Sequence, residues 1–282
     1  MAQFTNQAQL SYNNQVTSSN VAVGEILEVL SVSKTALSNQ YAQNSKVTYA
    51  ISIVNSGTTA FTGLTVSDNM GAYSYDTTTL EPLTYVDGSI SYFINGVLQA
   101  APAVTSQSPL TFSNISVPAG GNFLIIYEAR PNQFAPRATG SSIVNQVTVS
   151  GGGITPITAE ETVYAESLPD LSITKAISPV PVTENGTLTY TFTIQNTVNT
   201  EAALADNVAV TDTFNPILSN LTVNFNGTAW TENTNYTYNE ATGVFSTVAG
   251  QITVPAASYT QNADGSWNLN PGVSTLTVTG VI

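Results

Sequence analysis

The sequence predicts an all-β protein built from two tandem β-sandwich domains. Val, Ile, Thr, Tyr and Phe are plentiful, and Asn, Gly, Pro and Ser interrupt short runs of alternating polarity. No segment keeps a helical period, and no apolar run is long enough to span a membrane. The length of 282 residues leaves room for two domains that each bury a core of their own.

The composition excludes several classes of protein. The chain has no cysteine and no histidine, so disulfides, thiolate or imidazole metal sites and His-dependent catalysis are absent. The net charge of −13 argues against nucleic acids and anionic membranes as partners. Only 8% of the residues are charged, which is typical of secreted or surface-exposed structural material. We therefore predict no cofactor, no metal site, no membrane insertion and no enzyme with turnover.

An internal repeat divides the chain into two copies. In each copy a lysine strand is followed by a tyrosine fifteen residues later, then by an asparagine and by a strand that ends in aspartate. The matched segments are Leu30–Ala36 with Leu171–Ala176, Tyr49 with Tyr190, Asn55 with Asn196, Leu64–Asp68 with Val208–Asp212, and Phe123–Tyr127 with Leu276–Gly280. The two copies are therefore expected to form equivalent sandwiches.

The two copies differ at their ends. The first copy continues to a last strand at Ile143–Val149, whereas the second has no such strand before Ile282. A matching strand instead lies at the N-terminus, where Phe4–Tyr12 resembles Ile143–Gly151, including the Asn-Gln pair. The sequence therefore predicts a second sandwich that lacks its last strand and an N-terminal donor strand. The inward face of the donor strand consists of Phe4, Asn6, Ala8, Leu10 and Tyr12.

The predicted organisation has four parts: donor strand and linker (1–28), first sandwich (29–150), linker (151–167) and incomplete second sandwich (168–282). An incomplete sandwich exposes its core and unpaired backbone groups, which a donor strand would cover by β-strand addition. A donor from another copy gives a head-to-tail contact that propagates into a filament. Alternatively, the strand folds back onto its own second domain, and residues 13–29 would then have to cross the first domain.

Strand alternation places one lysine, one aspartate and one asparagine in the interior of each unit. In the first unit these residues are Lys34, Asp68 and Asn145. Burial disfavours the charged forms, so the amine becomes nucleophilic and the acid stays protonated and polarises the carboxamide. Attack by the amine then expels ammonia and leaves an isopeptide bond. We predict this intramolecular bond between Lys34 and Asn145, assisted by Asp68.

The second unit supplies only two of the three groups, Lys175 and Asp212. By the same logic, Asn6 of another copy would complete the set, and a bond between Lys175 and Asn6 would join two subunits. In both units a buried ion pair without covalent chemistry remains an alternative. Glu128 is an alternative acid for the first unit, although its aligned position in the second copy is Val281.

Four motifs carry a resemblance to a known family. They are the Leu-x-Val-x-Lys-Thr strand, Val-Thr-Tyr-x-Ile-x-Ile-x-Asn, Val-x-Asp and Asn-x-Ala-x-Leu-x-Tyr, which read here Leu30–Thr35, Val47–Asn55, Val66–Asp68 and Asn6–Tyr12. This set resembles the bacterial and archaeal surface-protein repeat known as domain of unknown function eleven. The resemblance implies Ig-like β-sandwiches with a role at the cell surface or in an appendage. The placement of Lys, Asp and Asn is similar to that in isopeptide-forming adhesin and pilin domains.

The sequence thus predicts a self-polymerising structural subunit of an extracellular fibre. The first residues lack the basic and apolar regions of a secretory signal, which also suggests an appendage of the cell surface or the spore surface. The competing interpretation is a monomeric surface adhesin or glycan-binding module with an unidentified host or surface ligand. A sugar platform could consist of Trp230, Tyr236, Tyr238 and Trp267, but strand and core positions are the commoner reason for such aromatic residues.

Overall fold

The computed structural model describes residues 2–26, 28–42 and 45–282. This part of the chain is mostly β-strand, with one 3-10 turn at Leu204–Asp206. The predicted fold class, all-β with tandem Ig-like sandwiches, is confirmed. Within the described ranges no helix has the length and apolar character needed to cross a membrane.

Twenty-eight strands make up the described fold. The N-terminal segment contains β1 (Ala2–Asn6), β2 (Gln9–Tyr12), β3 (Gln15–Ser18) and β4 (Ala22–Ile26). The first sandwich contains β5 (Leu30–Ala36), β6 (Gln40–Tyr41), β7 (Val47–Asn55), β8 (Phe61–Asp68), β9 (Tyr73–Tyr75), β10 (Thr78–Leu80), β11 (Leu83–Tyr85), β12 (Ser91–Ile94), β13 (Val97–Gln99), β14 (Val104–Gln107), β15 (Leu110–Val117), β16 (Asn122–Pro131), β17 (Ser142–Gly151) and β18 (Ile157–Ala165). The second contains β19 (Leu171–Ser178), β20 (Thr187–Asn196), β21 (Thr211–Thr213), β22 (Ser219–Phe225), β23 (Thr228–Trp230), β24 (Tyr236–Asn239), β25 (Val244–Thr247), β26 (Ser258–Gln261), β27 (Trp267–Asn270) and β28 (Gly272–Val281).

The first sandwich consists of two six-stranded sheets. One sheet has the order β13-β12-β16-β7-β5, with β11 also paired to β16, and the other has the order β14-β15-β8-β17-β18-β6. Alternate side chains of each strand point into the space between the sheets. Tyr49 and Phe123 from one sheet and Phe112 from the other are fully buried there. The edge strand β5 packs against β18, which closes the sandwich on that side.

The second sandwich has the same strand order as the first, but it lacks the strand pair that closes one side of the first. Its larger sheet, β19-β20-β28-β22-β23, corresponds to β5-β7-β16-β12-β13, and its smaller sheet, β21-β25-β24, corresponds to β8-β15-β14. Among the described residues, nothing in this sandwich takes the place of β17 and β18. The strands β19 and β21 therefore form adjacent open edges of a core that contains Phe192, Phe214 and Phe245.

The pairing register corrects one part of the repeat alignment. Tyr127 pairs with Tyr49, whereas Tyr190 pairs with Val278, so the match of Phe123–Tyr127 with Leu276–Gly280 was wrong by two residues. The counterpart of Glu128 is consequently Thr279 rather than Val281. A slip of two residues leaves every side chain on its original face, and the polarity pattern alone therefore could not detect it.

The predicted linker at 151–167 is also wrong. Strand β18 pairs with β17 from Ser142 opposite Tyr164 to Val149 opposite Ile157, and it belongs to the first sandwich. Three consecutive glycines at 151–153, all with positive φ, form the turn between the two strands. The connection between the sandwiches is accordingly short, because β19 starts at Leu171.

The N-terminal segment is a β-hairpin, and not a single strand followed by an extended linker. Strand β1 pairs with β4, and β2 pairs with β3. Asn13 and Asn14 connect the arms with φ of 44° and 61°, the left-handed values that a two-residue hairpin turn requires. Every described side chain of residues 3–25 is exposed except at Gly24. In this structure the segment therefore does not fold back onto the chain's own second sandwich.

The two sandwiches contact one another through the β26–β27 hairpin. The Tyr75 hydroxyl donates to the Asn262 carbonyl at 2.9 Å, and the Trp267 backbone N–H donates to the Gln133 carbonyl at 2.9 Å. These bonds join the second sandwich to the first.

Deletion of residues 2–26 tests whether the N-terminal hairpin is independent of the sandwiches. Because its side chains are exposed, we expect the free energy of unfolding of monomeric protein to change by less than about 0.5 kcal/mol. Urea denaturation of dilute samples measures this change. A loss of several kcal/mol would mean that the hairpin supports the core of its own chain.

Candidate cross-linking sites

The first predicted site lies between the sheets of the first sandwich. Lys34 comes from the edge strand β5, Asp68 ends β8 in the opposite sheet, and Asn145 lies on β17 beside β8. The side chains of Lys34 and Asp68 are 0% exposed, and Asn145 is fully buried. The structure thus brings all three predicted residues into one enclosed interior.

Lys34 and Asp68 form a buried ion pair. Lys34 Nζ donates to Asp68 Oδ2, while Asp68 Oδ1 accepts the Met70 backbone N–H at 3.0 Å. Burial lowers the pKa of Lys34, and the charge of Asp68 opposes this effect only in part. The amine is therefore shifted toward its neutral, nucleophilic form.

Tyr127, which the sequence analysis did not select, links all three groups. Its hydroxyl donates to Asp68 Oδ2 and accepts from Lys34 Nζ at 3.3 Å and from Asn145 Nδ2 at 3.4 Å. Burial raises the pKa of Tyr127, so the phenol keeps its proton. The Tyr49 ring stacks on Tyr127 with 5.7 Å between centroids.

A backbone donor faces the Asn145 carbonyl oxygen. The Gly71 N–H donates to Asn145 Oδ1 at 3.2 Å, at the atom that would carry negative charge after attack on the carboxamide. Gly71 has a φ of +74°, and a Cβ at this position would lie 2.4 Å from Ile143 Cγ2. Both the backbone conformation and the close packing therefore require glycine here.

The alternative acid Glu128 lies away from this interior. Its carboxylate forms an ion pair with Lys46, and both side chains are partly exposed. Adjacent residues of a strand point to opposite faces, so Tyr127 and Glu128 cannot both face the core. Asp68 is the carboxylate that contacts Lys34.

The second predicted site has the same ion pair in an open setting. Lys175 Nζ donates to Asp212 Oδ2, but the Lys175 side chain is 39% exposed. The ammonium lies 4.2 Å from the Tyr190 ring centroid and 5.5 Å from that of Phe214. Phe214 stacks on Tyr190 much as Tyr127 stacks on Tyr49, but Phe214 has no hydroxyl, and Val278 occupies the position equivalent to Tyr127.

The apolar neighbours of Lys175 show why the site is open. Ile173 and Ile177 are 51% and 46% exposed, whereas their counterparts Val32 and Ala36 in the first sandwich are partly covered. In the first sandwich β18 provides that cover. The second sandwich therefore presents a groove, which we call the acceptor groove, between β19 and β21.

The N-terminal hairpin matches the strand pair that covers the first site. In β17–β18 Asn145 pairs with Glu161 and Ile143 with Val163, and in β1–β4 Asn6 pairs with Ala22 and Phe4 with Gly24. Each of these residues of β17–β18 has a number 139 higher than the corresponding residue of β1–β4. The cross-strand pairing is therefore the same in the two strand pairs at these positions. The Phe4 ring lies over Gly24, and this large and small pair replaces two branched side chains.

Within one chain Asn6 and Lys175 do not meet, because Asn6 lies on the exposed hairpin. Three large side chains of the predicted donor face are each more than half exposed to solvent: Phe4, Leu10 and Tyr12. Together with Val16, Val21 and Val23 they form an uncovered apolar surface on a two-stranded element that is only marginally stable by itself. Asn6 and Ala8 lie on the same exposed arm.

The four aromatic side chains considered as a sugar platform occupy packing positions, as the favoured interpretation of these residues predicts. Tyr236 is buried, Trp230 packs against Phe225 with the two rings tilted, and the Tyr238 hydroxyl donates to the Leu218 carbonyl. Trp267 contacts the first sandwich and has a buried indole nitrogen. These rings serve the core and the contact between the sandwiches.

No family model matches the chain, and no curated protein matches it. The resemblance to the surface-protein repeat family therefore remains a prediction. Among solved structures, the chain is similar to the pilus backbone protein of Streptococcus pneumoniae, with 12% identity over 86% of this chain and 55% of that protein and a TM-score of 0.36. The match thus spans about half of that protein's length.

Two further similar structures are the major pilin subunit BcpA of Bacillus cereus and a C-terminal fragment of the major pilin of Streptococcus agalactiae. The first has 11% identity over 96% of this chain and 73% of that one, with a TM-score of 0.35. The second has 12% identity over 86% of each chain, also with a TM-score of 0.35. Similarity at this level supports no argument about function, which must come from the sites themselves.

Replacement of the two aspartates tests the difference between the sites. Asp68→Ala leaves the buried Lys34 without its partner, and we expect the first sandwich to lose about 3–5 kcal/mol of stability. Asp212→Ala removes a partner from a half-exposed lysine, and we expect a loss of about 0–1 kcal/mol in monomeric protein. Hydrogen exchange in each sandwich measures both values, and similar losses would contradict the difference in burial.

Proposed function

We propose that this protein is a structural fibre subunit that polymerises head-to-tail, with the N-terminal hairpin of one copy completing the second sandwich of the next. The observation that carries the proposal is the register that β1–β4 shares with β17–β18, with Asn6 at the position of Asn145. The first sandwich therefore supplies a template for the joint between subunits.

The template assigns a place to each arm of the hairpin. In the first sandwich β17 pairs with β8, and β18 packs against β5. By analogy, β1 and β2 would pair with the open edge of β21, and β4 would pack on β19. This docking would cover Ile173 and Ile177 together with the apolar surface of the hairpin. Burial of such side chains contributes about 1.5–3 kcal/mol each, which favours association.

The chain connections favour exchange between copies. Strand β18 covers the first sandwich and then leads within a few residues into β19 of the second. Strand β4 likewise leads within a few residues into β5, so a hairpin docked on one subunit places the first sandwich of the next subunit beside it. The donor and acceptor surfaces differ, and such a contact adds subunits in one direction without closing.

The enclosed site supports formation of an amide within the first sandwich. Asp68 takes a proton from Lys34, whose neutral amine attacks Asn145 Cγ, and the Gly71 N–H stabilises the oxyanion. The bond from Cγ to Nδ2 breaks, Nδ2 leaves as ammonia, and an amide joins Nζ to Cγ. Such a link closes a loop of about 110 residues and would add about 4–5 kcal/mol by the chain-entropy model for cross-links.

The same chemistry between subunits depends on docking. In the free chain Lys175 is half-exposed and lacks an asparagine partner. A docked hairpin would bring Asn6 to the Lys175–Asp212 pair and would exclude water from it, as β17 and β18 do around Lys34. The intermolecular bond would therefore form only where a subunit has already been added.

A fibre of this kind belongs outside the cytoplasm, on the surface of a cell or a spore. The low charge and the absence of cysteine suit such a location, and the bonds proposed here do not respond to redox conditions. The partner is another copy of the chain. A glycan-binding role gains no support, because the candidate aromatic side chains are engaged in packing.

Polymerisation is tested with single substitutions at the joint. We expect concentrated wild-type protein to form a ladder that survives boiling in detergent, and we expect Asn6→Ala and Lys175→Ala to abolish the ladder. Electron microscopy should still show fibres for both variants, since docking does not require the bond. Lys46→Ala is the matched control, because Lys46 forms a partly exposed ion pair with Glu128 and belongs to neither the donor hairpin nor the second sandwich, and it should behave as wild type.

Deletion of residues 2–26 should abolish both the ladder and the fibres. Fibres formed by the deleted protein would contradict donation of the hairpin. Wild-type fibres that dissolve into monomers in detergent would contradict the intermolecular bond alone.

The intramolecular bond is tested by intact mass spectrometry of unfolded monomer. Wild-type protein should be lighter than its sequence by one ammonia, and Lys34→Ala and Asn145→Ala should have their full calculated masses. Both variants should also unfold at a lower urea concentration because the cross-link is missing. A wild-type monomer of full mass would show that Lys34 and Asp68 form an ion pair only.

A further inference from the structure

We infer that the Tyr127 hydroxyl is a catalytic proton relay for the cross-link in the first sandwich. The inference rests on the proposed isopeptide chemistry and assigns a role to a residue outside the Lys, Asp and Asn set. Tyr127 is the one side chain described here whose hydroxyl contacts the nucleophile, the acid and the leaving group together.

A proton relay is needed because the reaction removes a proton from one side chain and delivers a proton to another. One proton must leave Lys34 Nζ before attack, and one must reach Asn145 Nδ2 before it can depart as ammonia. Asp68 contacts Lys34 directly, whereas the connection from Asp68 to Asn145 runs through the Tyr127 oxygen. Each carboxylate oxygen of Asp68 is already engaged, Oδ1 by the Met70 N–H and Oδ2 by Lys34 and Tyr127.

Solvent offers no competing route. The side chains of Lys34 and Asp68 are 0% exposed, and Asn145 and Tyr127 are also fully buried. The proton therefore has to travel through protein groups. The stacked rings of Tyr49 and Tyr127 form an apolar wall of this interior.

The relay balances in protons and charge. Asp68 receives a proton from the Lys34 ammonium, and the free amine forms the new bond to Asn145 Cγ. Tyr127 passes its proton to Nδ2 and takes one from Asp68, so the phenol and the carboxylate are both restored and Nδ2 can leave as ammonia. The attacking nitrogen then gives a second proton to Asp68, and this proton follows the same route through Tyr127 to the ammonia. The amide has one hydrogen on Nζ, and the released ammonia carries away the surplus proton as ammonium.

The site in the second sandwich has no hydroxyl equivalent to that of Tyr127. Val278 stands at the position of Tyr127, and the ring that replaces it against Tyr190 belongs to Phe214, which has no hydroxyl. That site is also partly open in the free chain. The first site therefore has the relay, whereas the site that a docked hairpin would enclose has none, and its bond would have to form without a tyrosine hydroxyl.

Tyr127→Phe tests the relay, because it removes the hydroxyl and keeps the ring. The full chain is synthesised in a cell-free extract, synthesis is stopped, and the loss of one ammonia is followed over time by intact mass spectrometry. We expect the rate to fall by about 10²-fold, at the lower end of the range for general acid–base catalysis. Tyr85→Phe is the matched control, since Tyr85 is buried beside Tyr127 with 6.5 Å between the ring centroids, and its hydroxyl is not among the hydrogen-bond partners of Lys34, Asp68 or Asn145, so its rate should equal that of wild type.

The outcomes separate this inference from the proposed function. A wild-type rate for Tyr127→Phe would overturn the relay and leave the cross-link in place. Equal slowing in both tyrosine variants would also overturn it, because the effect would then reflect packing. Near-ultraviolet circular dichroism identifies a misfolded variant, and in that case Tyr127→His, which restores a side chain that both accepts and donates a proton, must react faster than Tyr127→Leu. Absence of ammonia loss from wild type would instead overturn the cross-link itself.

Discussion

A primary amine enclosed between two apolar sheets must be paired, neutralised or consumed, because water cannot reach it. Lys34 is in this position, and the residues around it are arranged accordingly. Asp68 supplies a charge from the opposite sheet, Tyr127 supplies a hydroxyl, and Asn145 presents a carboxamide from the adjacent strand. The sandwich can be closed only when β17 and β18 are in place, so folding and assembly of the reactive site are the same event.

The second sandwich contains an equivalent lysine and aspartate in a site that no strand pair of the described chain has closed. Its open edges at β19 and β21, its exposed isoleucines and its half-exposed ion pair all follow from the lack of a covering hairpin in the described chain. The N-terminal hairpin is the complementary surface, because six of its large apolar side chains are exposed to solvent. A single exchange between copies would satisfy both surfaces, and it would repeat a contact that the chain already makes once within itself.

The sequence predicted the features that depend on alternation and repetition. The faces of Lys34, Asp68 and Asn145 follow from a period of two, and the two copies were recognisable because their strand motifs recur at similar spacing. Tyr127 could not be found in this way, since the second copy has Val278 at its position. The oxyanion donor was also invisible, because it is the backbone N–H of Gly71 and has no side chain of its own.

The misplaced boundaries have equally physical causes. Gly151 to Gly153 look like a linker, yet a run of residues that tolerate positive φ also makes a hairpin turn. Asn13 and Asn14 also adopt positive φ, and they form the turn of the N-terminal hairpin. The single strand predicted there is the first arm of that hairpin. The equivalence of that hairpin with β17–β18 became clear only from cross-strand pairing, where Asn6 opposes Ala22 as Asn145 opposes Glu161.

The most direct test of the account is a cross-linked peptide map of fibres grown from an equal mixture of unlabelled and nitrogen-15-labelled subunits. The account predicts a branched peptide joining the segment around Asn6 to the segment around Lys175, with about half of the molecules carrying one labelled and one unlabelled arm. Only linear peptides from these two segments, or branched peptides whose arms always share one label, would contradict a covalent joint between subunits.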